Sequence, residues 1–358
     1  MTRKFSDKII VNPNNEIIIN KQNRNVIICT SLLSIPFTIT LIETYKASSI
    51  LITEEVQIFN FFTKFYPKLD IFLFKKEKSI LDKNPSKILN NICYNYLLRN
   101  EINFFLKEFS RCNVYTVIKA FSPLSGYSLL IFSSQNKIFH KNLIKLNWKK
   151  TSFTLKFFLY NCYVKFLYGI YFDPVSVKKG PPVPAYSKKF FRQIKAKNMK
   201  QEINFSLIKK FISKKIFTKD KEILLLSCGN NEREIIDKDL LNSFIRKLSL
   251  NENFKKVIYK RKDSNEKKYG LEKIFSEHRS LFPANLLIHK YKVIVGYNSA
   301  TLFEAANIGC KSISLLELLG KNKANISYYK DFLKINLNKN KKIFFPKTFD
   351  QFLEILNY

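Results

Sequence analysis

Apolar and β-branched residues gather in short runs along the chain, and stretches of helix length separate them. Residues 25–29 (NVIIC) form the first run, 48–53 (SSILIT) the second and 70–74 (DIFLF) the third. Runs of this length between polar residues predict buried strands. Their alternation with longer segments predicts βαβ units on a parallel sheet. Residues 95–109 carry apolar side chains at 98, 102, 105, 106 and 109, the spacing of one helix face. Residues 114–118 and 127–132 predict two further strands.

Residues 153–172 are aromatic and apolar but interrupted by Lys156, Asn161 and Lys165. A lysine is costly at a bilayer centre, so this segment is not expected to span a membrane. Residues 173–184, DPVSVKKGPPVP, hold four prolines and a glycine, which predict an interdomain linker in place of a helix or central strand. Residues 188–200 extend it as a basic, helical segment.

The second half repeats the alternation. Residues 222–226 predict a strand and 227–231 a turn. Leu240, Leu241, Phe244, Ile245 and Leu248 mark a helix face, and 256–259 a strand. Pro283 suits the first position of a short helix reaching His289. Strands follow at 293–295 and 312–315, and residues 349–356 predict a terminal helix capped by Thr348 or Asp350. The fold class implied is α/β, with two Rossmann-like domains facing a cleft. The expected division is an N-terminal domain over 1–175, a linker over 176–200, a C-terminal domain over 201–340 and a closing helix within 341–358.

Composition supports this picture. A chain of 358 residues suits two domains better than one core, and a hydrophobic fraction of 46% can bury both. The net charge of +34 points to a polyanionic partner: nucleic acid, an anionic membrane surface or a phosphorylated substrate. A- and T-biased coding, visible in the wealth of Lys, Asn, Ile and Phe, is a competing source of the lysines. Six cysteines are scattered with no CxxC and no His at ligand spacing, which fits a reduced compartment and argues against a structural zinc site. The polar, basic start has no apolar h-region, so no signal peptide is expected. P-loop, dinucleotide GxGxxG, HExxH and GxSxG patterns are absent, which removes support for the corresponding enzyme classes. No nucleic-acid-binding module is recognisable either, so specific nucleic-acid recognition is not expected.

Doubly wound sheets bind ligands at the carboxyl ends of their strands. After the strand ending at Val295 come Gly296-Tyr297-Asn298-Ser299-Ala300-Thr301 and a helix over 302–307, stopped by Gly309. Hydroxyls and unpaired backbone N–H groups at a helix start can hold a phosphate. Thr301-x-x-Glu304 also fits a capping box that merely satisfies the helix. Ser227, Gly229 and Asn230, in the first turn of the second half, fit a nucleotide-contacting loop, or equally an ordinary βα turn. Lys260, Arg261 and Lys262 after the strand 256–259 offer either phosphate-binding cations or a solvated basic loop.

FPANLLIHKYKVIVGYNSATLFEAANIGCKSISLL, residues 282–316, resembles the C-terminal stretch of bacterial GT-B-type sialyltransferases and polysialyltransferases of lipooligosaccharide and capsule synthesis. Pro283-Ala284-Asn285-Leu286-Leu287 stands where that family has a Pro-x-Glu-Leu-Leu-like helix. Gly296 to Thr301 stands for its Gly-x-x-Ser-Ser/Thr, with Ala300 replacing the second hydroxyl. NVIICTSLLSIPFTITLIE resembles its first strand and helix.

The resemblance implies a CMP-sugar donor, a glycan or glycolipid acceptor, and no metal or other cofactor. Taken with the turn at 227–231, it leads to the expectation that Ser227, Gly229, Asn230, Lys260, Arg261, Gly296, Asn298, Ser299 and Thr301 bind the donor nucleotide. Two family features are missing. Lys262 stands where the family has the His that contacts the CMP phosphate, and an unshifted Lys is a poor proton donor at neutral pH. Ser133-Ser134-Gln135-Asn136 stands where the family has its acidic turn. His140 nearby is the candidate general base, with Glu54 and Asp173 as rivals. Three readings follow. The first is a sialyltransferase-like glycosyltransferase, cytoplasmic or peripheral on the inner face of the plasma membrane. The second is a degenerate paralogue that binds without turnover, and the third a basic nucleic-acid-binding protein.

Overall fold

The structure is a computed structural model. It describes residues 9–11, 24–45, 48–75, 78, 84–109, 112–117, 136–138, 162–163, 172–175, 183–186, 197–198, 204–215, 223–227, 235–251, 257–261, 276–277 and 282–357. The chain divides into two compact units, 1–144 with 148–208, and 145–147 with 209–358.

The first unit is built on β1 (Ile9–Val11), β2 (Asn25–Cys29), β3 (Ser49–Thr53), β4 (Asp70–Phe74), β5 (Asn113–Val117) and β6 (Asn136–Ile138). β7 (Phe172–Val175), β8 (Val183–Tyr186) and β9 (Lys197–Asn198) follow. The sheet order is β1-β4-β3-β2-β5-β6-β9. β1 is antiparallel to β4, and every other pairing is parallel. Without β1 this is the doubly wound order 3-2-1-4-5-6. Central β2 and β3 are buried along their whole length, as expected of strands covered on both faces.

The helix after β2, Ile35–Tyr45, is buried continuously from Ile35 to Ile42. Thr38 and Thr40 reconcile hydroxyls with that burial by donating to the carbonyls of Ser34 and Pro36, each at 3.0 Å. The helix over 95–109 expected from spacing is longer, Pro85–Lys107. Asn84 caps it through Ser86 N–H and Pro85 holds the first position, so it starts ten residues before the expected 95. Phe105 packs it onto the sheet, 4.8 Å from Phe72 and 5.2 Å from Phe74 between ring centres.

Two short strands flank the proline-rich stretch, and one expectation beside it fails. β7 and β8 form an antiparallel pair across it, with Pro174 opposite Pro184. A two-stranded ribbon has only edges, so a pair lacking both N–H groups is tolerated where a central strand would exclude it. Within 188–200, read as helical, Lys197–Asn198 is instead the edge strand β9. The expected strand 127–132 and the turn at 133–135 lie outside the described residues.

In the second unit β10 (Ile223–Leu226), β11 (Val257–Lys260), β12 (Ser276–Glu277), β13 (Val293–Gly296) and β14 (Lys311–Ser314) form an all-parallel sheet in the order β12-β11-β10-β13-β14. Phe344 bridges Ile313 in parallel at its edge, the place of a sixth strand. The 3-2-1-4-5-6 order therefore appears twice. Helix Lys238–Leu250, capped by Asp237 through the N–H groups of Asp239 and Leu240, buries Leu241, Phe244, Ile245 and Leu248. Leu240, expected on that face, is exposed. Helix Phe349–Asn357 closes the same core. Phe352 meets Phe244 edge to face at 5.3 Å between ring centres, and Thr348 Oγ1 accepts from Gln351 N–H, so Thr348 is the cap.

Candidate functional site

The second sheet defines a site through its winding. After β10 the chain builds β11 and β12 on one side, then crosses to build β13 and β14 on the other. The loops leaving β10 and β13 consequently part at the carboxyl edge, and that switch point is where doubly wound sheets open a crevice. The register aligns the two strands, with Leu225 opposite Val295. One residue on, a Cβ on Gly296 would lie 3.3 Å from both Cβ and Cδ1 of Leu226. Gly296 is thus a close-approach glycine that lets β13 end flush against β10.

Beyond Gly296 the backbone is anchored. Leu315 N–H donates to the Gly296 carbonyl at 2.8 Å, and buried Ser314 Oγ donates to the carbonyl of Tyr297, whose ring lies in the core. Asn298 and Ser299 are left partly exposed at the mouth. The helix starts at Ala300, two residues before the expected position, and Ser299 is its cap: Oγ accepts from Thr301 N–H at 3.3 Å. The Thr301–Glu304 capping box is therefore not formed, because Thr301 already sits inside the first turn and is buried. Leu302 N–H goes to the Ser299 carbonyl at 3.0 Å. The Ala300 amide, at the helix start, makes no hydrogen bond among the described residues. Asn298 Oδ1 is a buried acceptor that receives no hydrogen bond among the described residues. Buried polar groups are ordinarily paired, so this atom marks where a ligand donor would fit.

Ser227 sits just past β10, buried, with its N–H on the Lys260 carbonyl at 2.9 Å. Lys260 ends β11 and Arg261 follows it, both half-buried. β11 lies two strands from β13, roughly 10 Å at the usual strand spacing. The structure thus sets Ser227, Lys260, Arg261, Gly296, Asn298, Ser299 and Thr301 along one carboxyl edge. Gly229, Asn230, Lys262 and His140 lie outside the described residues. Glu54 follows β3, at the carboxyl edge of the first sheet, whereas Asp173 lies in β7 opposite Ala185. Pro283, expected as the first helical residue, is the cap of helix Ala284–Leu287.

His289 lies at the opposite, amino edge, just before β13. Burial, with the nearby Lys209 charge adding to it, lowers its pKa from 6.5 to about 4, so it is neutral at physiological pH. Among the described residues no cluster of three His, Cys, Asp or Glu is spaced to hold a metal.

Sequence reasoning missed the contribution of Ser314 and the Tyr297 carbonyl. The signal was present as alternation in Lys311–Ser314, where Ser312 and Ser314 share one strand face. It also missed the switch point, because strand order is not written in local periodicity.

No protein-family model matches the chain, and no curated protein does. Solved structures are similar to it at low identity. One is the E. coli ADP-heptose LPS heptosyltransferase II, with 11% identity and a TM-score of 0.41 over 93% of this chain and 97% of that one. Another is the UDP-GlcNAc 2-epimerase from Neisseria meningitidis bound to UDP-GlcNAc, with 11% identity and a TM-score of 0.39 over 85% of each chain. A third is MurG from Acinetobacter baumannii, with 10% identity and a TM-score of 0.37 over 87% of this chain and 84% of that one.

Proposed function

We propose that the protein is a glycosyltransferase that takes sialic acid, or a related sugar, from a CMP-activated donor and transfers it to a bacterial surface glycan or glycolipid. The observation that carries this reading is the switch point between β10 and β13. There a helix start, an amide at Ala300 without a hydrogen bond and an unpaired acceptor at Asn298 share one edge with Lys260 and Arg261 among the described residues. Support also comes from the sialyltransferase-like sequence at 282–316 and from two Rossmann-type sheets in one chain.

In this reading the Ala300 amide and the positive end of the helix dipole receive the phosphate. Asn298 Oδ1 accepts from a donor group of the nucleotide or sugar. Lys260 and Arg261 offset the charge that develops on the leaving phosphate. A base from the first unit, His140 or Glu54, deprotonates the acceptor hydroxyl. No metal is required by these roles. A lipid-linked acceptor would bring the protein to an anionic membrane face.

A thermal-shift series tests the reading. CMP or CMP-sialic acid at a hundredfold excess over Kd should stabilise the fold by about 2.7 kcal/mol. A full panel of nucleotide sugars without any shift overturns it. A measured transfer product separates an enzyme from a paralogue that only binds, the alternative raised by Lys262 in place of the family His.

A further inference from the structure

Helix Pro85–Lys107 is apolar on two sides. Leu98, Ile102, Phe105 and Leu106 are buried on the side packed against the first sheet. On the other side Leu89, Tyr96, Leu97 and Phe104 are 63%, 49%, 50% and 65% exposed. At about 100° of turn per residue, these four fall within roughly 100° of arc, opposite the buried side. Exposed Cys93 and Asn100 lie within the same arc. Isolated exposed apolar side chains are ordinary on protein surfaces, but a continuous stripe marks a contact.

We propose that this stripe docks the protein on an anionic membrane surface, with the helix lying along the interface. The proposal deepens the reading above, resting on its membrane-held acceptor. Charge favours this occupant. The chain carries +34; exposed Lys107 lies within the arc of the stripe at one end of the helix and exposed Lys87 precedes its first residue at the other, against half-buried Glu101 and Glu108 along one border. Lys78 is held against the same helix: its backbone pairs with the Asn95 side chain, and Nζ lies 4.6 Å above the Tyr94 ring. Cations beside anionic headgroups and apolar side chains sunk into the interface act together in such binding.

A second copy of the chain fits less well. Two molecules of +34 repel. The four side chains expose on the order of 500 Å², against about 800 Å² per partner in a stable interface. An RNA would answer the charge and leave the apolar stripe in water. No helix among the described residues is long and apolar enough to cross a membrane, so the surface contact is interfacial.

Vesicle co-sedimentation of the full chain tests the proposal without donor or acceptor, so it can fail while nucleotide binding stands, and the reverse. Wild type should bind vesicles of phosphatidylcholine with a third phosphatidylglycerol at least tenfold more tightly than phosphatidylcholine alone. Leu97→Ser combined with Phe104→Ser should reduce binding to the anionic vesicles at least tenfold, with the melting temperature in lipid-free buffer unchanged. Lys87→Glu with Lys107→Glu should weaken binding several-fold at low salt and less at high salt. Unchanged vesicle binding by the serine variant overturns the proposal. So does a fall in its melting temperature, which would show that the chain itself covers the stripe. A wild-type dimer that the serine variant converts to monomer overturns it in favour of self-association. Loss of RNA binding with vesicle binding intact overturns it in favour of nucleic acid.

Discussion

β2 and β13 each border a gap where strand order reverses, and each runs into a helix, yet their exits differ. β2 ends in fully buried Cys29, and the chain passes Thr30 and Ser31 into a helix that is buried from its first residue. Burial raises the Cys29 thiol to about 11, so it is an inert apolar filler. β13 ends in Gly296, and Asn298 and Ser299, half-buried like Thr30 and Ser31, lead directly into a helix whose first amide makes no hydrogen bond among the described residues. The same doubly wound order thus yields a closed exit, whose following helix is buried residue after residue from Ile35 to Ile42, and an open one, whose helix starts at once with an amide that makes no hydrogen bond among the described residues. Topology supplies the position, and the side chains leaving the strand decide whether it becomes a site.

The largest effect should come from Gly296→Val. Its Cβ would already lie 3.3 Å from Leu226, and the γ-carbons would press further into a packed strand end. Overpacking of this kind costs about 2 kcal/mol, and denaturant melts should show it together with loss of any nucleotide-induced shift. A variant as stable as wild type would mean that β13 and β10 do not meet at this glycine. Ser299→Ala comes next, at about 1 kcal/mol for a lost cap. Its value lies in separating two roles. If Ser299 only caps, the CMP-induced rise in melting temperature persists on a lower baseline; if it also holds phosphate, the rise disappears.

Much of this contrast was legible beforehand. Residues 25–29 and 70–74 of the first sheet and 293–295 of the second announced themselves because a strand buried on both faces must be an unbroken apolar run. Short edge strands such as β1, β9 and β12 did not, since two or three residues carry no period. The start of helix Pro85–Lys107 was obscured because apolar side chains on two opposite faces cancel the one-sided pattern that marks a helix. At the site, Gly296 to Thr301 could be named from residue type, but whether Ser299 or Thr301 caps depends on a two-residue shift in the helix start. That shift accompanies the pairing of Gly296 with Ser314 across one βαβ unit, a contact that residue type alone does not reveal. The roles of His140 and Lys262 rest on the sequence alone.

A control for the open edge lies at the amino end of the same sheet. The folded His289 pKa of about 4 lies below the unfolded value of 6.5. Above pH 6.5 both states are neutral. Between 6.5 and about 4 the unfolded chain binds a proton that the folded one refuses, so stability falls as pH falls, and below about 4 the loss is complete. Solvent screening keeps it on the order of 1 kcal/mol. His289→Gln should flatten this limb in pH-dependent melts while leaving a nucleotide-induced shift at pH 7 unchanged. A flattened limb accompanied by a lost nucleotide shift would mean that the amino edge is coupled to the site.

The finest test sets two unpaired oxygens against each other. Ser34 Oγ, fully buried at the closed exit, and Asn298 Oδ1, at the open one, both make no hydrogen bond among the described residues. A buried polar atom without a partner is unfavourable, so removing either should leave the protein as stable or up to about 1 kcal/mol more stable. Ser34→Ala and Asn298→Leu should therefore look alike in melts without ligand. They should part when CMP is added. Ser34→Ala keeps the full shift because nothing enters the closed exit. Asn298→Leu loses about tenfold in affinity, the 1.4 kcal/mol of one hydrogen bond to a ligand donor. Equal shifts in the two variants would mean that the open exit is no more a binding site than the closed one, and the difference between the two sheets would then be one of packing alone.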